Sequence, residues 1–330
     1  MVVPEMLNFH EGIPQQISLQ FVELFSGMGC VSLGLLSIGM KGTSHDIALS
    51  SLMDLTTTRG FLLALNEVRR IARGGLLWLG LCCNSFSKMS RGTHGRDFWR
   101  PLGNCGYGFV AVGNLLACRC ILLIYVAVSR GLKFILEQPD GSSLPLHPRW
   151  EELLGHVQIF SCSFWMGAIG GATAKRHRLW SNCKSILMEV DRRAGYLSRE
   201  DMLKLPGGPL VRHYIDQNGK KRHAGIPGKL RDSQHYSLEF GQLIADLVSK
   251  YMTEEIPAPK SPVLLDWSRS DAELFKDHFV LDGDNRKALG DLWHDAELPR
   301  VVQYLAKIRD MKPRGSWADI LKFLDLRHIG

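Results

Sequence analysis

Paired cysteines are missing from this chain. Its eight cysteines are spread over 330 residues and no two form a CxxC pair. A disulfide-framed small domain is thereby excluded, and a structural zinc site has no support. Met1–Gln16 has neither the basic start nor the apolar run of a secretory leader, so the expectation is a reduced, intracellular protein of nucleus or cytoplasm. There is no internal repeat and no strong compositional bias. With 45% hydrophobic residues, 22% charged residues and a mean hydropathy of -0.04, collagen, coiled coil and whole-chain disorder are ruled out. One run alone, Val110–Val128, raises the question of a membrane span. Asn114 and Arg119 interrupt it, and a mid-span charge is expensive in lipid, so it reads as a buried helix and no membrane partner is expected. Acidic residues are also short: 33 Asp and Glu stand against 40 Lys and Arg, a formal charge of +7. That balance favours a polyanionic partner such as nucleic acid, and a solvated basic surface would give the same arithmetic.

What the chain does contain is an alternation of strands and helices. Ile17–Phe25 predicts a strand, Ser26-Gly27-Met28-Gly29-Cys30 a glycine turn, and the apolar residues to Gly39 a helix. That is the opening unit of a doubly wound nucleotide-binding sheet. Strand-like pieces follow at Thr43–Ile47 and Leu49–Leu55, then a helix over Phe61–Arg73 stopped by Gly74 and Gly75. Leu76–Leu81 is uniformly apolar, as a central parallel strand buried on both faces would be. Beyond a long loop at 88–108 come the 110–129 helix, strands at Lys133–Glu137 and Val157–Phe164, and the segment Ala174–Trp180. Lys204–Arg231 is polar, basic and rich in Gly and Pro, and Leu238–Tyr251 has helical spacing. The expected fold is therefore α/β: a Rossmann-like domain over 1–255, with a mostly parallel sheet flanked by helices. A Pro-rich linker at 256–262 leads to a small helical C-terminal extension at 263–330. Oligomeric state is not readable.

In such folds ligands collect at the carboxyl ends of the strands. There, Phe25, Ser26, Gly27, Met28 and Gly29 allow close backbone approach and aim a helix N-terminus at an anionic group, phosphate or carboxylate. Asp46 lies at a distance suited to a ribose hydroxyl, and Asp54 follows to face a base amino group; tight packing alone would also explain the turn. Cys83, on the loop after the central strand, is placed to present a thiolate to a cleft, although most cysteines are buried hydrophobes. Glu137 ends another strand and suits acid–base work if burial shifts its pKa. Arg176 and Arg178, two apart on an extended segment, share one face and would bind an anion or steer Glu137; a surface ion pair is the plainer alternative.

Taken in order, Phe25-Ser26-Gly27-Met28-Gly29, Cys83, Leu136-Glu137-Gln138-Pro139 and Arg176-His177-Arg178 resemble the motifs of the cytosine-C5 methyltransferase family over roughly 20–182. Tyr236–Val248 is similar in position to that family's last donor-binding element. The resemblance implies S-adenosylmethionine as methyl donor, held by Phe25–Gly29 with Asp46 and Asp54. It implies Cys83 as the nucleophile that adds to cytosine C6, Glu137 as the acid at N3, and Arg176 and Arg178 as supports for ring carbonyl and acid. The partner implied is nucleic acid, DNA ahead of RNA, with Ser85, Ser87, Arg91, Lys220, Lys221 and Arg222 as its contacts. The motifs diverge: Cys82 replaces the proline before the nucleophile, Asn84 the glutamine after it, Gln138 an asparagine, Ala174 a glutamine and Cys30 a glycine. Asp46 and Asp54 are also too close to hold the helix the family places between them. A non-catalytic module that keeps the fold and binds donor or nucleic acid is the alternative.

Overall fold

A computed structural model of the chain describes residues 18–207, 210–226, 228–229 and 233–258. Six strands form one sheet: β1 (Leu19–Leu24), β2 (Gly42–His45), β3 (Ile71–Leu79), β4 (Lys133–Pro139), β5 (Phe160–Trp165) and β6 (Arg176–Ser181), in the order β2-β1-β3-β4-β6-β5. The first four run parallel, while β6 is antiparallel to both of its neighbours. The helices are α1 (Cys30–Ser37), α2 (Thr58–Arg69), α3 (Arg91–His94), α4 (Gly108–Ser129), α5 (Pro148–His156), α6 (Lys184–Ala194), α7 (Arg199–Lys204) and α8 (Leu238–Tyr251).

Two buried clusters cover the two faces of the sheet, so the domain has three layers. Val22, Leu24, Leu77, Leu79, Phe134 and Leu136 pack against α2, α4 and α5. Phe21, Leu76, Trp78, Ile135 and Leu179 pack against α1, α6 and α8. Right-handed crossovers explain the division: the chain leaves β1 toward β2 through α1, then returns past β1 to β3 through α2, and reversing direction puts those helices on opposite faces. The reversal makes the carboxyl ends of β1 and β3 a topological switch point, where this architecture leaves a crevice. The expected α/β, mostly parallel architecture is therefore present.

Helix α4 is buried over most of its length, as its apolar run predicts. Arg119 is buried too. Its guanidinium lies over the Phe61 ring and donates to the Thr57 carbonyl at 2.7 Å, so the one charge in the run ties α4 to the start of α2. Such a charge is tolerated because its Nη1 meets the carbonyl oxygens of Leu55 and Thr57 and the cation faces an aromatic ring.

Three local expectations are corrected. Leu49–Leu55 is no strand; it holds the short turn Ser51–Met53, and Thr57 then caps α2 by accepting from Gly60 N–H. Gly74 and Gly75 do not end a helix. Helix α2 stops at Arg69 and the glycine pair lies inside β3, where the pairing with β1 passes from Leu19↔Ile71 to Phe21↔Leu76. Gly74 takes φ 82°, and a Cβ on Gly75 would lie 2.5 Å from the Gln20 carbonyl oxygen, so the bulge needs both glycines. The basic stretch after Lys204, to which composition alone assigns no strand, contains an antiparallel hairpin, β7 (Val211–Ile215) with β8 (Lys221–Gly225). Residues 256–258 carry no regular structure, and the proposed helical extension lies outside the described residues.

Candidate functional site

The turn after β1 is built on left-handed backbone. Phe25, Gly27 and Gly29 have φ of 57°, 53° and 67°, and Phe25 is the one non-glycine with positive φ among the described residues. A Cβ at Gly27 or Gly29 would touch nothing within 4 Å, so these glycines are required by backbone angle and leave open space above the turn. Gly29 N–H closes it on the Ser26 carbonyl at 2.7 Å. Asp46, from the end of β2, accepts from Gly27 N–H at 2.9 Å and from Ala48 N–H at 2.8 Å, so the two strand ends meet there. Exposed Met28, Ile47 and Leu49 flank this junction and give it an apolar rim. Asp54 stands apart from this pair, capping a local turn through the N–H and hydroxyl of Thr56.

A buried polar cluster lies beneath the turn. Glu23 accepts from Ser32 N–H at 2.7 Å and Ser32 Oγ at 2.5 Å, while its other oxygen and the Ser26 hydroxyl are buried without a hydrogen-bond partner. Burial pushes the Glu23 carboxyl up to about 7, against the pull of the Ser32 bonds. Raising an acid's folded-state pKa favours the folded state at low pH and removes that advantage as pH climbs from the ordinary carboxylate value to the folded one. Glu23→Gln is therefore expected to match the native chain near pH 4 and to exceed it increasingly between pH 4.5 and 7. Above pH 7 the difference should level off, at no more than about 3 kcal/mol. Urea unfolding at pH 4, 6 and 8 measures this, and a difference constant with pH would contradict it.

Opposite the turn, the ends of β3 and β4 bring a second group together. Cys83 is half-buried, and its carbonyl accepts from the N–H groups of Phe86 and Ser87, both at 2.9 Å. Gln138 is fully buried at the end of β4 and donates to the Leu81 carbonyl, locking the Cys83 loop to the strand that carries Glu137. Burial pushes the Cys83 thiol up; the Lys175 ammonium pulls it back and the Glu137 carboxylate adds to the rise. Sulfur, carboxylate and ammonium thus share one electrostatic neighbourhood.

Glu137 is buried with both oxygens engaged. His177 Nδ1 bonds one at 2.6 Å, and the Tyr236 hydroxyl donates to the other at 2.7 Å. Burial alone would raise this carboxyl, but His177, Lys175 and Tyr236 together hold it below the usual range. Burial in turn pushes His177 down, toward a neutral ring that donates through Nδ1. Tyr236 precedes α8, and its own carbonyl accepts from Cys30 Sγ at 3.1 Å, so one residue links the turn after β1 to Glu137.

Arg176 and Arg178 do share a face, as their spacing predicts, but that face is Asp140. Arg178 reaches it at 2.9 Å and Arg176 at 3.7 Å. The steering of Glu137 belongs instead to His177, which projects to the opposite face of the same strand. Among the expected nucleic-acid contacts, Ser85 is buried and bonded to Arg96, so it faces inward. The Ser87 hydroxyl caps a turn by accepting from Met89 N–H, and Arg91 is exposed. Lys220 and Lys221 are exposed on the hairpin, and Arg222 pairs with Asp216 at 2.7 Å.

Sequence reading missed Lys175, His177 and Tyr236. The first two sit in the same short motif as the arginines, and strand alternation alone separates His177 from them. No model of a protein family matches this chain, and neither does any curated protein.

Proposed function

We propose that the chain is an S-adenosylmethionine-dependent methyltransferase of the cytosine-C5 type, acting on nucleic acid, DNA ahead of RNA. The observation that carries this reading is that half-buried Cys83 and the bonded Glu137 follow or end the adjacent strands β3 and β4, tied together by Gln138, next to the open glycine turn after β1.

The residues present suit the donor. Gly27 and Gly29 leave room for close backbone approach. Phe25–Gly29 and Asp46 would hold it, with Asp54 further along the same edge. When bound, the donor supplies an electrophilic methyl group. Cys83 would form a bond from sulfur to cytosine C6, pushing the ring π electrons toward C5. Lys175 favours the thiolate this requires, against the burial and the Glu137 charge that together leave the thiol raised. Glu137, ionised at neutral pH, would accept from the exocyclic amino group and so orient the ring; the negative charge developing at N3 would need a proton there, which the carboxylate alone does not supply. After C5 has gained the methyl group, loss of the C5 proton to solvent would let its electron pair re-form the C5–C6 double bond as the carbon–sulfur bond breaks, releasing Cys83 as the thiolate.

A second reading, a non-catalytic module binding donor or nucleic acid, is favoured by two contacts. Both Glu137 oxygens already have internal partners, and both arginines are engaged by Asp140. A 5-fluorocytosine oligonucleotide separates the readings, because fluorine at C5 blocks the final elimination. The native chain with donor should form a denaturant-stable adduct that Cys83→Ser abolishes and Cys82→Ser retains. Lys175→Met should slow it about tenfold at neutral pH, the effect of roughly one pKa unit on the thiolate fraction. Donor binding by calorimetry without any adduct would favour the non-catalytic module. No donor binding at millimolar concentration would remove both donor-dependent readings.

A further inference from the structure

The segment from Cys83 to α4 carries more aromatic surface into solvent than the reaction above requires. Phe98 and Trp99 are 74% and 84% exposed, with their rings edge-on at 5.1 Å. Tyr107 and Phe109, exposed at the far end of the same loop, form a second ring pair at 6.1 Å. Apolar rings left in water are costly, and here the backbone holds them there. Asp97 Oδ1 accepts from the N–H groups of Trp99 and Arg100 at 2.9 and 2.8 Å, fixing the tip as a tight turn. Below it, buried Arg96 stacks on Phe86 at 4.2 Å. Its guanidinium donates to Ser85, Pro101 and Asn114, which pins the loop to α4. The rings are thus presented on a rigid stalk.

The charges around them have one sign. Lys88, Arg91 and Arg100 are exposed on this loop, and its single acid, Asp97, is committed to the turn. Exposed rings interleaved in sequence with exposed cations suit a chain that offers flat faces and phosphates together. Every nucleobase has such a face, and it is accessible when the strand is not paired.

We propose that Phe98 and Trp99 are a stacking platform for unpaired bases, with Lys88, Arg91 and Arg100 tracking the phosphates, and that the preferred partner is single-stranded nucleic acid. The proposal deepens the reading of the Cys83 site, naming its substrate as a strand whose bases are already unpaired. The platform lies on the segment that follows Cys83 and leads into α4.

The test uses the full chain, without donor, and a fluorescein-labelled oligothymidine followed by fluorescence anisotropy. The probe contains no cytosine, so its binding does not depend on methylation chemistry. Phe98→Ala/Trp99→Ala should weaken binding about tenfold or more, the expected loss for two stacked bases. Phe98→Leu/Trp99→Leu, which keeps apolar bulk without a ring face, should show most of the same loss. Arg91→Gln/Arg100→Gln should flatten the salt dependence by about 0.7 per contact removed. Native affinity should exceed that for the matching duplex. Unchanged binding in the alanine pair, full retention in the leucine pair or preference for the duplex would overturn the proposal. So would concentration-dependent self-association of the native chain that the alanine pair abolishes, since the rings would then cover another copy. An adduct at Cys83 with no effect of the ring variants would sink the platform and leave the methyltransferase reading standing; ring-dependent binding with no adduct would do the reverse.

Discussion

Replacing Gly241 with alanine is expected to cost about 3 kcal/mol of stability and to lower the unfolding midpoint by roughly 10 °C. Helices α1 and α8 meet backbone to backbone. A Cβ on Gly241 would lie 2.0 Å from the Cys30 carbonyl oxygen, and one on Gly34 would lie 2.3 Å from the Gly241 carbonyl oxygen. Neither obstruction is the end of a flexible side chain, so a methyl group is accommodated by separating the helices. That separation reaches the site. Ser237, which caps α8 by accepting from Phe240 N–H at 3.0 Å, follows Tyr236, whose hydroxyl bonds Glu137 and whose carbonyl receives Cys30 Sγ. Thermal unfolding of Gly241→Ala and Gly34→Ala measures the first effect. A Gly241→Ala chain as stable as the native one would mean that α1 and α8 are not in such close contact.

This close packing shows where sequence reasoning stops. Strand and helix periodicity report which residues are apolar, and on that basis the β1 turn, the buried α4 helix and the parallel centre of the sheet could all be anticipated. Glycine gives a fainter signal. Gly27 and Gly29 follow a strand, so their role in a turn was readable, whereas Gly34 and Gly241 lie inside helices more than two hundred residues apart and nothing local pairs them. The same limit applied to the site. Cys83 and Glu137 could be picked out because each ends a strand. The partners of Glu137 come from β6 and from the residue ahead of α8, contacts 40 and 99 residues distant, and they appear only once antiparallel β6 is set beside β4. Nor could spacing distinguish Asp140 from Glu137 as the target of the arginine pair. Spacing two apart places both arginines on one face, but the identity of that face depends on strand register, which one sequence does not reveal.

Glu137→Ala is expected to be the most damaging single change in the site, at about 3–5 kcal/mol, because it removes one member of a buried charge network and strands the rest. His177 and the Tyr236 hydroxyl would lose their partner together, and Lys175 would lose a counter-charge. Glu137→Gln keeps the shape and one acceptor, so the loss should shrink to about 1–2 kcal/mol. The acid limb of stability should change with it. A carboxyl held below its ordinary pKa stabilises the fold above that value, and the contribution disappears as pH falls through the folded-state pKa; the glutamine variant should lack that component below pH 4.5. His177, also held low, loses its contribution as pH falls from 6.5; because the Glu137 charge pulls it upward, that part should grow in the variant. A structural role alone predicts nothing about the neighbouring sulfur, whereas the shared electrostatics do. The Glu137 carboxylate raises the Cys83 thiol, so removing its charge should make Cys83 more acidic and speed alkylation by iodoacetamide at pH 8. Lys175→Met should slow it. Opposite shifts from the two substitutions, both lost when Cys83 is replaced by serine, would tie the three groups into one site. Identical alkylation rates in all the Cys83-containing chains would show that carboxylate and ammonium do not act on the thiol, and the proposed nucleophile would lose its activating surroundings.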